Sequence, residues 1–446
     1  MDVSELGGAG GGHRQRALVL HPEIKGAEVS RAADAALAEA LALAEALPGI
    51  DVVRGDVVRL AKPHPGMLFG SGKVAEIKTW IEADEVELVL VDGPVSPVQQ
   101  RNLEKEWGVK LLDRTGLILE IFADRARTRE GVLQVELAAL SYQRTRLVRA
   151  WTHLERQRGG LGFVGGPGET QIEADRRAID TQVVRLRRQL DKVVKTRELH
   201  RAARRRVPYP VVALVGYTNA GKSTLFNRLT GADVLAKDML FATLDPTMRA
   251  VTLPGGLAVI LSDTVGFISD LPTQLVAAFR ATLEEVLEAD LILHVRDIAH
   301  PESEAQAKDV ETILTDLGVG QDVRRIEVWN KADLLPADDA RLTVAARRDG
   351  VVAVSALTGQ GMADLVEVIG EALGDQRQVE VVPIGHADGR ARAFAYEAGI
   401  VLSEEQGDEG ATLTVSWSPR QKAQFIALRG GSGAGPADGG DNGEAP

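Results

Sequence analysis

The chain has 446 residues, a formal net charge of −12 and no cysteine. This length corresponds to about three domains of ~150 residues each, and the lack of cysteine excludes disulfide bridges, thiolate catalysis and cysteine-ligated zinc. The N-terminus is glycine-rich rather than apolar, and no window approaches the ~20 apolar residues that span a bilayer. We therefore expect a cytoplasmic protein without a signal peptide or an integral membrane segment.

The first predicted domain, residues 16–130, is a small α/β unit. Residues 17–20 and 86–91 are apolar enough for buried strands, and the alanine-rich stretch 27–47 predicts a helix. A Gly-Ser-Gly-Lys sequence at residues 70–73 opens a further helix and could hold an anion at its N-terminus. It lacks the spacing of a phosphate-binding GxxxxGK loop, so we favour a capped helix start.

Residues 131–206 predict an antiparallel helical hairpin. Apolar residues recur at steps of three, four and seven in two stretches, which gives each helix a narrow seam that packs on the other. The seam residues are Leu133, Leu137, Leu140, Leu147, Trp151 and Leu154 in the first stretch, and Ile172, Ile179, Val183, Leu186, Leu190 and Val193 in the second.

This hairpin is a basic segment in an acidic protein. Residues 141–206 contain 17 Arg and Lys against 7 Asp and Glu, a local balance of +10. Such segregation favours a polyanionic partner, above all nucleic acid, over a solvated helix face. Residues 159–170 join the two helices. Their many glycines, with Leu161, Phe163 and Val164, predict a tip that either approaches a ligand closely or is an inert flexible loop.

The third predicted domain, residues 207–374, contains GYTNAGKST (residues 216–224) between an apolar stretch and a helix-forming one. This is the strand–loop–helix context that the phosphate-binding GxxxxGK[ST] motif requires. Backbone N–H groups of such a loop face the phosphates, its lysine reaches the β- and γ-phosphates, and its serine ligates Mg²⁺. The predicted nucleotide ligands are Gly216, Tyr217, Thr218, Asn219, Ala220, Gly221, Lys222 and Ser223.

Two further motifs match the switch regions of GTPases. In FATLDPT (residues 241–247) a threonine hydroxyl can reach Mg²⁺, and we prefer Thr243 to Thr247 for this task. Residues 263–266 form a DxxG motif, whose aspartate can hold Mg²⁺ through water and whose glycine N–H can meet the γ-phosphate. The predicted ligands are Phe241, Ala242, Thr243, Leu244 and Asp245, followed by Asp263, Thr264, Val265 and Gly266.

Phe267 stands where many GTPases carry a glutamine that orients the attacking water. A phenyl ring cannot do this, so we expect slow intrinsic hydrolysis that is accelerated from elsewhere. A partner surface and a K⁺ ion held by Asn219 are the two alternatives.

The remaining motifs predict guanine specificity. The Asp333 carboxylate of NKAD (residues 330–333) suits guanine donors that adenine lacks, the Lys331 stem can lie along the base, and backbone N–H groups at 355–357 can approach the guanine oxygen. The predicted base ligands are Asn330, Lys331, Ala332, Asp333, Ser355, Ala356 and Leu357. Each motif follows a predicted strand, which indicates a P-loop GTPase domain with a mostly parallel sheet and helices on both faces.

The last folded part, residues 375–429, predicts a small C-terminal α+β module. Residues 1–15 and 430–446 are too poor in apolar residues to form a core, so we expect both tails to be disordered.

Taken together, the chain resembles the HflX family of ribosome-associated GTPases. The resemblance is carried by GGLGFVGGPGETQIEADRR (159–177), FGSGK (69–73), DRTGLILEIFAD (113–124) and the nucleotide motifs, and it extends over about residues 16–373. The glycine-rich segment is the most specific part, because many GTPases share the nucleotide motifs.

The resemblance implies GTP-dependent binding to the large ribosomal subunit, splitting of stalled ribosomes, notably in heat stress, and contact of the tip at 159–170 with ribosomal RNA. It also implies Ser223 and Thr243 as Mg²⁺ ligands, and we assign Lys222, Thr243 and Gly266 to catalysis. We expect GTP and Mg²⁺ as ligands, with K⁺ left open. The expected partners are the large subunit and its RNA, with no DNA, and the protein is expected to be a ribosome-associated monomer. Two alternatives are an ATP-driven RNA-remodelling enzyme acting through the N-terminal domain and a ribosome-assembly GTPase.

Overall fold

The computed structural model describes residues 14–26, 31–157, 167–204, 209–232, 240–254, 256–269, 285–320, 323–374, 378–385, 388–407, 410–417 and 419–430. Along the two long helices, side chains are described at 129–146 and 173–195. Within these ranges the strands form three sheets of four, six and three strands. The predicted α/β fold class, with an N-terminal α/β unit, a helical region and a mostly parallel P-loop sheet, is confirmed.

The first sheet is parallel throughout, in the order β2–β1–β3–β4. Its strands are Gln15–Ile24 (β1), Ile50–Leu60 (β2), Leu88–Val91 (β3) and Lys110–Asp113 (β4), and the helices that follow them are Ala33–Glu45 (α1), Ser71–Ala83 (α2), Pro97–Trp107 (α3) and Arg114–Arg125 (α4). Successive strand residues point to opposite faces. Accordingly Val19 packs with α1 and α4, whereas Leu18 packs with α2 and α3.

Strands β2 and β4 were missing from the sequence prediction. Strand β2 mixes charged and apolar residues, and β4 has only four residues, so neither has the apolar run that identified β1 and β3. Helix α2 begins at Ser71, and the preceding Gly70 provides no side-chain cap. The Lys73 ammonium lies 3.3 Å from the carboxylates of Asp56 and Glu76. Two carboxylates at this point do not favour an anion ligand.

Two long helices, Arg129–Gln157 (α5) and Pro167–Arg204 (α6), form the hairpin. An ion pair of 2.8 Å between Arg144 and Asp180 joins them. In α6 the predicted seam residues from Ile179 to Val193 are buried or half-buried, and the basic residues between them are exposed. The first turns of α5 also pack on α4, because Val135 and Ala138 share a core with Phe122. Most of the predicted tip, residues 158–166, and the side chains of Leu147, Trp151, Leu154 and Ile172 lie outside the described residues.

The six-stranded sheet has the order β10–β9–β8–β5–β7–β6. Its strands are Val211–Gly216 (β5), Thr247–Thr252 (β6), Ala258–Asp263 (β7), Leu291–Asp297 (β8), Arg324–Asn330 (β9) and Val351–Ala353 (β10). Among the described strands of this sheet, β6 alone pairs antiparallel. Its described helices are Lys222–Thr230 (α7), Ser303–Asp316 (α8), Ala340–Ala345 (α9) and Met362–Gly374 (α10).

Helices cover both faces of this sheet. Leu214 packs with α7 and α10 on one face, and Val215 packs with α8 on the other. The second face shares one apolar cluster with the N-terminal sheet, because Phe241, Phe267 and Ile268 lie in the same core as Phe122 of α4. The nucleotide motifs therefore stand beside the N-terminal unit and the base of the hairpin.

The third sheet is antiparallel, in the order β11–β13–β12, and is formed by Gln378–Gly385 (β11), Val401–Gly407 (β12) and Gly410–Trp417 (β13). Helices Gly389–Glu397 (α11) and Pro419–Gly430 (α12) pack on one face of it. The predicted tails lie largely outside the described residues. No helix in the described part of the chain is both long and apolar enough to cross a membrane.

Candidate nucleotide-binding site

The loop between β5 and α7 requires glycine at two positions. Gly216 has φ +155°, and a Cβ there would lie 2.1 Å from the carbonyl oxygen of Val295. Gly221 has φ +93°, and a Cβ there would lie 2.2 Å from Nδ2 of Asn330. Asn219 also adopts a positive φ, 59°, and is exposed at the mouth of the loop. The backbone thus follows the path that brings successive N–H groups toward an anion.

Lys222 begins α7 and is only 6% exposed. Its ammonium donates to the backbone oxygens of Tyr217 at 2.8 Å and of Gly216 at 3.2 Å. Burial lowers the pKa of Lys222 to about 8, and the Asp263 carboxylate opposes this shift. An added phosphate would favour the charged lysine in the same way as Asp263 does.

Three oxygen-bearing side chains meet beside this lysine. The Ser223 hydroxyl lies 2.8 Å from the Thr243 hydroxyl and donates to Oδ2 of Asp263 at 2.7 Å, and Thr243 donates to the same oxygen at 3.0 Å. The other carboxylate oxygen of Asp263 is buried without a hydrogen-bond partner among the described residues, and burial raises the pKa of Asp263. Thr247, the alternative to Thr243, belongs to strand β6.

Hard oxygen donors in this arrangement fit Mg²⁺, which prefers a few protein oxygens together with phosphate and water. The buried free oxygen of Asp263 is the feature that such an ion or its water shell would satisfy.

Gly266 lies against the phosphate-binding loop between β5 and α7. A Cβ on Gly266 would lie 2.8 Å from Cγ2 of Thr218 and 3.0 Å from Nζ of Lys222. The next residue, Phe267, pairs by backbone with this loop, because it accepts from Thr218 N at 2.7 Å and donates to Gly216 O at 3.1 Å. Its side chain is 1% exposed and belongs to the core shared with the N-terminal unit. Phe267 therefore has a packing role.

Not all of the predicted ligands face the cleft. The residues that line it are Thr218, Asn219, Gly221, Lys222, Ser223, Thr224, Phe241, Ala242, Thr243, Thr264 and Gly266. Leu244 and Val265 are buried in the shared core instead. Asp245 was predicted as a nucleotide ligand, but its carboxylate accepts hydrogen bonds from the backbone N–H groups of Arg127 and Thr128.

Tyr217 also points away from the cleft. Its hydroxyl lies 2.8 Å from the hydroxyl of Ser269 and 3.2 Å from Arg31, and it donates to Glu39 of α1. The tyrosine therefore connects the phosphate loop with the N-terminal unit. Its neighbours in sequence give no sign of this contact, because the partners lie 52 to 186 residues away.

The predicted base-binding residues meet at the ends of β9 and β10. Asn330 donates to Ala220 O at 2.8 Å and accepts from Ala356 N at 2.9 Å, so it joins the phosphate loop to the loop after β10. Asp333 is exposed, Ser355 is buried, and Leu357 is 74% exposed at the edge of this region.

Two residues that sequence reasoning missed support this region. Asp297 ends β8 and lies 2.8 Å from the Lys331 ammonium, where it can orient the lysine. Arg228 of α7 donates to Thr358 O at 3.0 Å and holds the loop after β10. The sequence signal for Asp297 was only its position at the end of an apolar stretch.

Comparisons with known proteins agree along the chain. Residues 34–123 match the family model of a GTP-binding GTPase N-terminal region, residues 125–204 that of a GTP-binding GTPase middle region, and residues 211–331 that of a 50S ribosome-binding GTPase. GTPase HflX of Magnetococcus marinus is 50% identical over 394 residues, which cover 88% of this chain and 90% of that protein. GTPase HflX of Escherichia coli is 44% identical over 350 residues, which cover 78% and 82%.

A solved structure of a GTP-binding protein from Sulfolobus solfataricus in complex with GDP is 23% identical to this chain. The alignment covers 80% of this chain and 98% of that one, with a TM-score of 0.44.

Proposed function

The chain belongs to the GTPase HflX family, and from that premise we propose that it is a GTP-switched factor that binds the large ribosomal subunit through its basic hairpin and splits or rescues stalled ribosomes, notably under stress. As a member of this family it binds GTP and is a GTPase. The proposal divides the chain into an N-terminal domain (16–130), a hairpin (131–206), a GTPase domain (207–374) and a C-terminal module (375–429).

The nucleotide switch uses the residues around the buried lysine. Lys222 neutralises the β- and γ-phosphates, and the Gly266 N–H meets the γ-phosphate. Ser223 and Thr243 would hold Mg²⁺, Asp263 would accept from water bound to the ion, and the ion would shield phosphate charge. Loss of the γ-phosphate releases Thr243 and Gly266, so these two residues report hydrolysis to the rest of the protein.

The observation that carries the proposal is the outward basic face of α6. Arg185, Arg187 and Arg188 are exposed while their apolar neighbours Val183 and Leu186 turn inward, and Lys192 and Lys195 continue the exposed face. This is the charge distribution that binds the phosphates of RNA. The matched family model of residues 211–331 is that of a 50S ribosome-binding GTPase, which supports the large subunit as the source of that RNA. We propose that the chain binds it as a monomer and has no DNA partner.

Intrinsic hydrolysis is slow in this proposal, because the buried Phe267 cannot orient water. Acceleration comes from the ribosome, and a K⁺ ion at Asn219 is the alternative source.

The ATP-driven alternative has less support from the N-terminal sheet. Ligands of open parallel sheets bind at the carboxyl ends of neighbouring strands. Here that position between β1 and β3 is filled, since Asp92 lies 2.8 Å from His21 and pairs with Arg114, which also donates to Ser269 O at 2.9 Å. A ribosome-assembly role differs only in its target, so the experiment below distinguishes it.

The test measures GTP turnover with and without mature large subunits, in KCl and in NaCl, together with dissociation of whole ribosomes by light scattering. We expect stimulation of ~10-fold or more by subunits and GTP-dependent dissociation of ribosomes. Stimulation of GTP turnover without dissociation of ribosomes would favour the assembly role. A response to KCl alone would indicate that a K⁺ ion at Asn219 accelerates hydrolysis. No stimulation by subunits in either salt would refute the proposal.

The hairpin is tested by replacing Arg185, Arg187 and Arg188 with alanine. Because each lost phosphate contact removes ~0.7 to 0.9 from the slope of log affinity against log salt, we expect the slope to fall by about 2 to 3. The matched control replaces Lys62, Arg101 and Lys105, which are exposed on the N-terminal unit, and removes the same charge. Equal losses in both variants would show that only net charge matters.

A further inference from the structure

The loop that carries Thr243 also holds the beginning of the hairpin. Asp245 accepts hydrogen bonds from the backbone N–H groups of Arg127 and Thr128, both at 2.9 Å, and from the Thr128 hydroxyl. That hydroxyl in turn accepts from the N–H of Gly131 at 3.0 Å, within the first turn of α5. Thr128 therefore accepts from the first turn of α5, and Asp245, more than 110 positions away along the chain, holds Thr128 in place.

The fit around this carboxylate is close. A Cβ on Gly131 would lie 2.5 Å from Oδ1 of Asp245, so a single methyl group would displace the carboxylate. The first N–H groups of a helix have no partners within the helix, and its N-terminus favours a negative charge. The Thr128 hydroxyl supplies the acceptor for an N–H of α5, and Asp245, bonded to Thr128, supplies the charge beside this N-terminus.

Apolar contacts also join the loop that carries Thr243 to helices α4 and α5. The rings of Phe241 and Phe122 of α4 meet edge to face, with centroids 4.6 Å apart. Leu244, directly between Thr243 and Asp245, is buried in the core that contains Val135 of α5. One side of the loop thus contacts Ser223 and Asp263, and the other contacts the base of the hairpin.

We propose that Asp245 is the positioning residue through which the nucleotide sets the orientation of the hairpin. The inference rests on the proposed function of the hairpin and names how that function is regulated. One buried residue separates Thr243 from Asp245, so the two cannot move independently. While GTP is bound, Thr243 is held at Ser223 and Asp245 remains bonded to Thr128 at the start of α5. After hydrolysis Thr243 is released, Asp245 leaves Thr128 with it, and α5 is free to reorient.

The test measures the hairpin directly. Because the chain has no cysteine, Val184→Cys on α6 (48% exposed) and Glu367→Cys on α10 can be spin-labelled in the full-length protein without background. Distances are recorded with GDP and with a non-hydrolysable GTP analogue. We expect the two nucleotides to give different distance distributions, and the difference to be lost in Asp245→Ala.

Three further variants separate coupling from stability. Thr128→Ala should behave like Asp245→Ala, and Thr128→Ser should restore the difference. Gly131→Ala displaces Asp245 although alanine favours helices, so loss of the difference there cannot come from a weaker helix. The matched control is Asp339→Ala, which removes a cap from α9, where Asp339 accepts from Arg341 N at 2.9 Å. It should leave the difference intact.

Subunit-stimulated kcat should fall in Asp245→Ala and in Gly131→Ala. The inference is wrong if the distance difference persists in both variants, or if the parent protein shows none between the two nucleotides. Failure of the ribosome proposal would look different: an intact nucleotide-dependent distance without subunit binding.

Discussion

Asn330 holds two loops of the nucleotide site together, and its replacement by alanine should weaken this part of the protein even without nucleotide. Its amide bonds Ala220 O at 2.8 Å and Ala356 N at 2.9 Å, and all three residues are buried. In Asn330→Ala both backbone groups lose their partner inside the protein. Each buried unsatisfied group costs about 1–3 kcal/mol, so we expect a loss of about 2–6 kcal/mol in local unfolding free energy.

Hydrogen exchange measured by mass spectrometry suits this prediction, because it reports β5 and β9 separately in a chain of several domains. A loss of ~2 kcal/mol corresponds to ~30-fold faster exchange, since every 1.4 kcal/mol is tenfold. The control is Lys331→Ala, which removes a partly exposed ion pair with Asp297 worth about 0–1 kcal/mol. If exchange in β5 and β9 were as slow in Asn330→Ala as in Lys331→Ala, the reasoning would be refuted.

Two further predictions concern buried positions of the same sheet. Burial in β8, reinforced by Arg296, lowers the pKa of His294 to about 4. An unfolded histidine binds its proton near pH 6.5, so the free energy of unfolding should fall by up to about 3 kcal/mol as the pH falls from about 6.5 to 4. His294→Gln should remove this part of the acid sensitivity, as measured by urea unfolding at each pH. An unchanged pH profile in that variant would contradict the prediction. Gly221→Ala combines a positive φ with a contact of 2.2 Å to Asn330 and should weaken GDP binding by at least ~10-fold, measured by calorimetry. The control Gly231→Ala, also at positive φ but with nothing within 4 Å of the added Cβ, should cost only about 1–2 kcal/mol of stability and leave GDP binding unchanged.

Within the GTPase domain, the strands that sequence reasoning identified were those that lead into a chemical motif. A nucleotide motif follows each of the strands β5, β7, β9 and β10. No such motif follows β6 or β8, and these two strands were missed. The apolar stretch of β8 was visible, but without the sheet order nothing indicated that Asp297 would stand beside Lys331.

Contacts between distant parts of the chain were beyond local patterns. The motif around Tyr217 predicts a phosphate loop, but the direction of the tyrosine ring depends on Glu39, 178 residues away. From the sequence, Phe267 was interpreted only as a residue that cannot orient the attacking water as a glutamine does. What it does instead, packing into a core shared with α4, depends on residues that no local spacing reveals.

The shared apolar cluster also limits how this protein can evolve. Phe241, Phe267 and Ile268 complete their burial against Phe122 and its neighbours, so they serve two units at once. A gene fragment encoding residues 207–374 alone would expose these side chains, at ~25 cal/mol for each Å² of apolar surface returned to water. Recombination that moved the GTPase unit alone into another gene would therefore incur this cost, and a substitution at Phe122 is expected to be accompanied by one at Phe241.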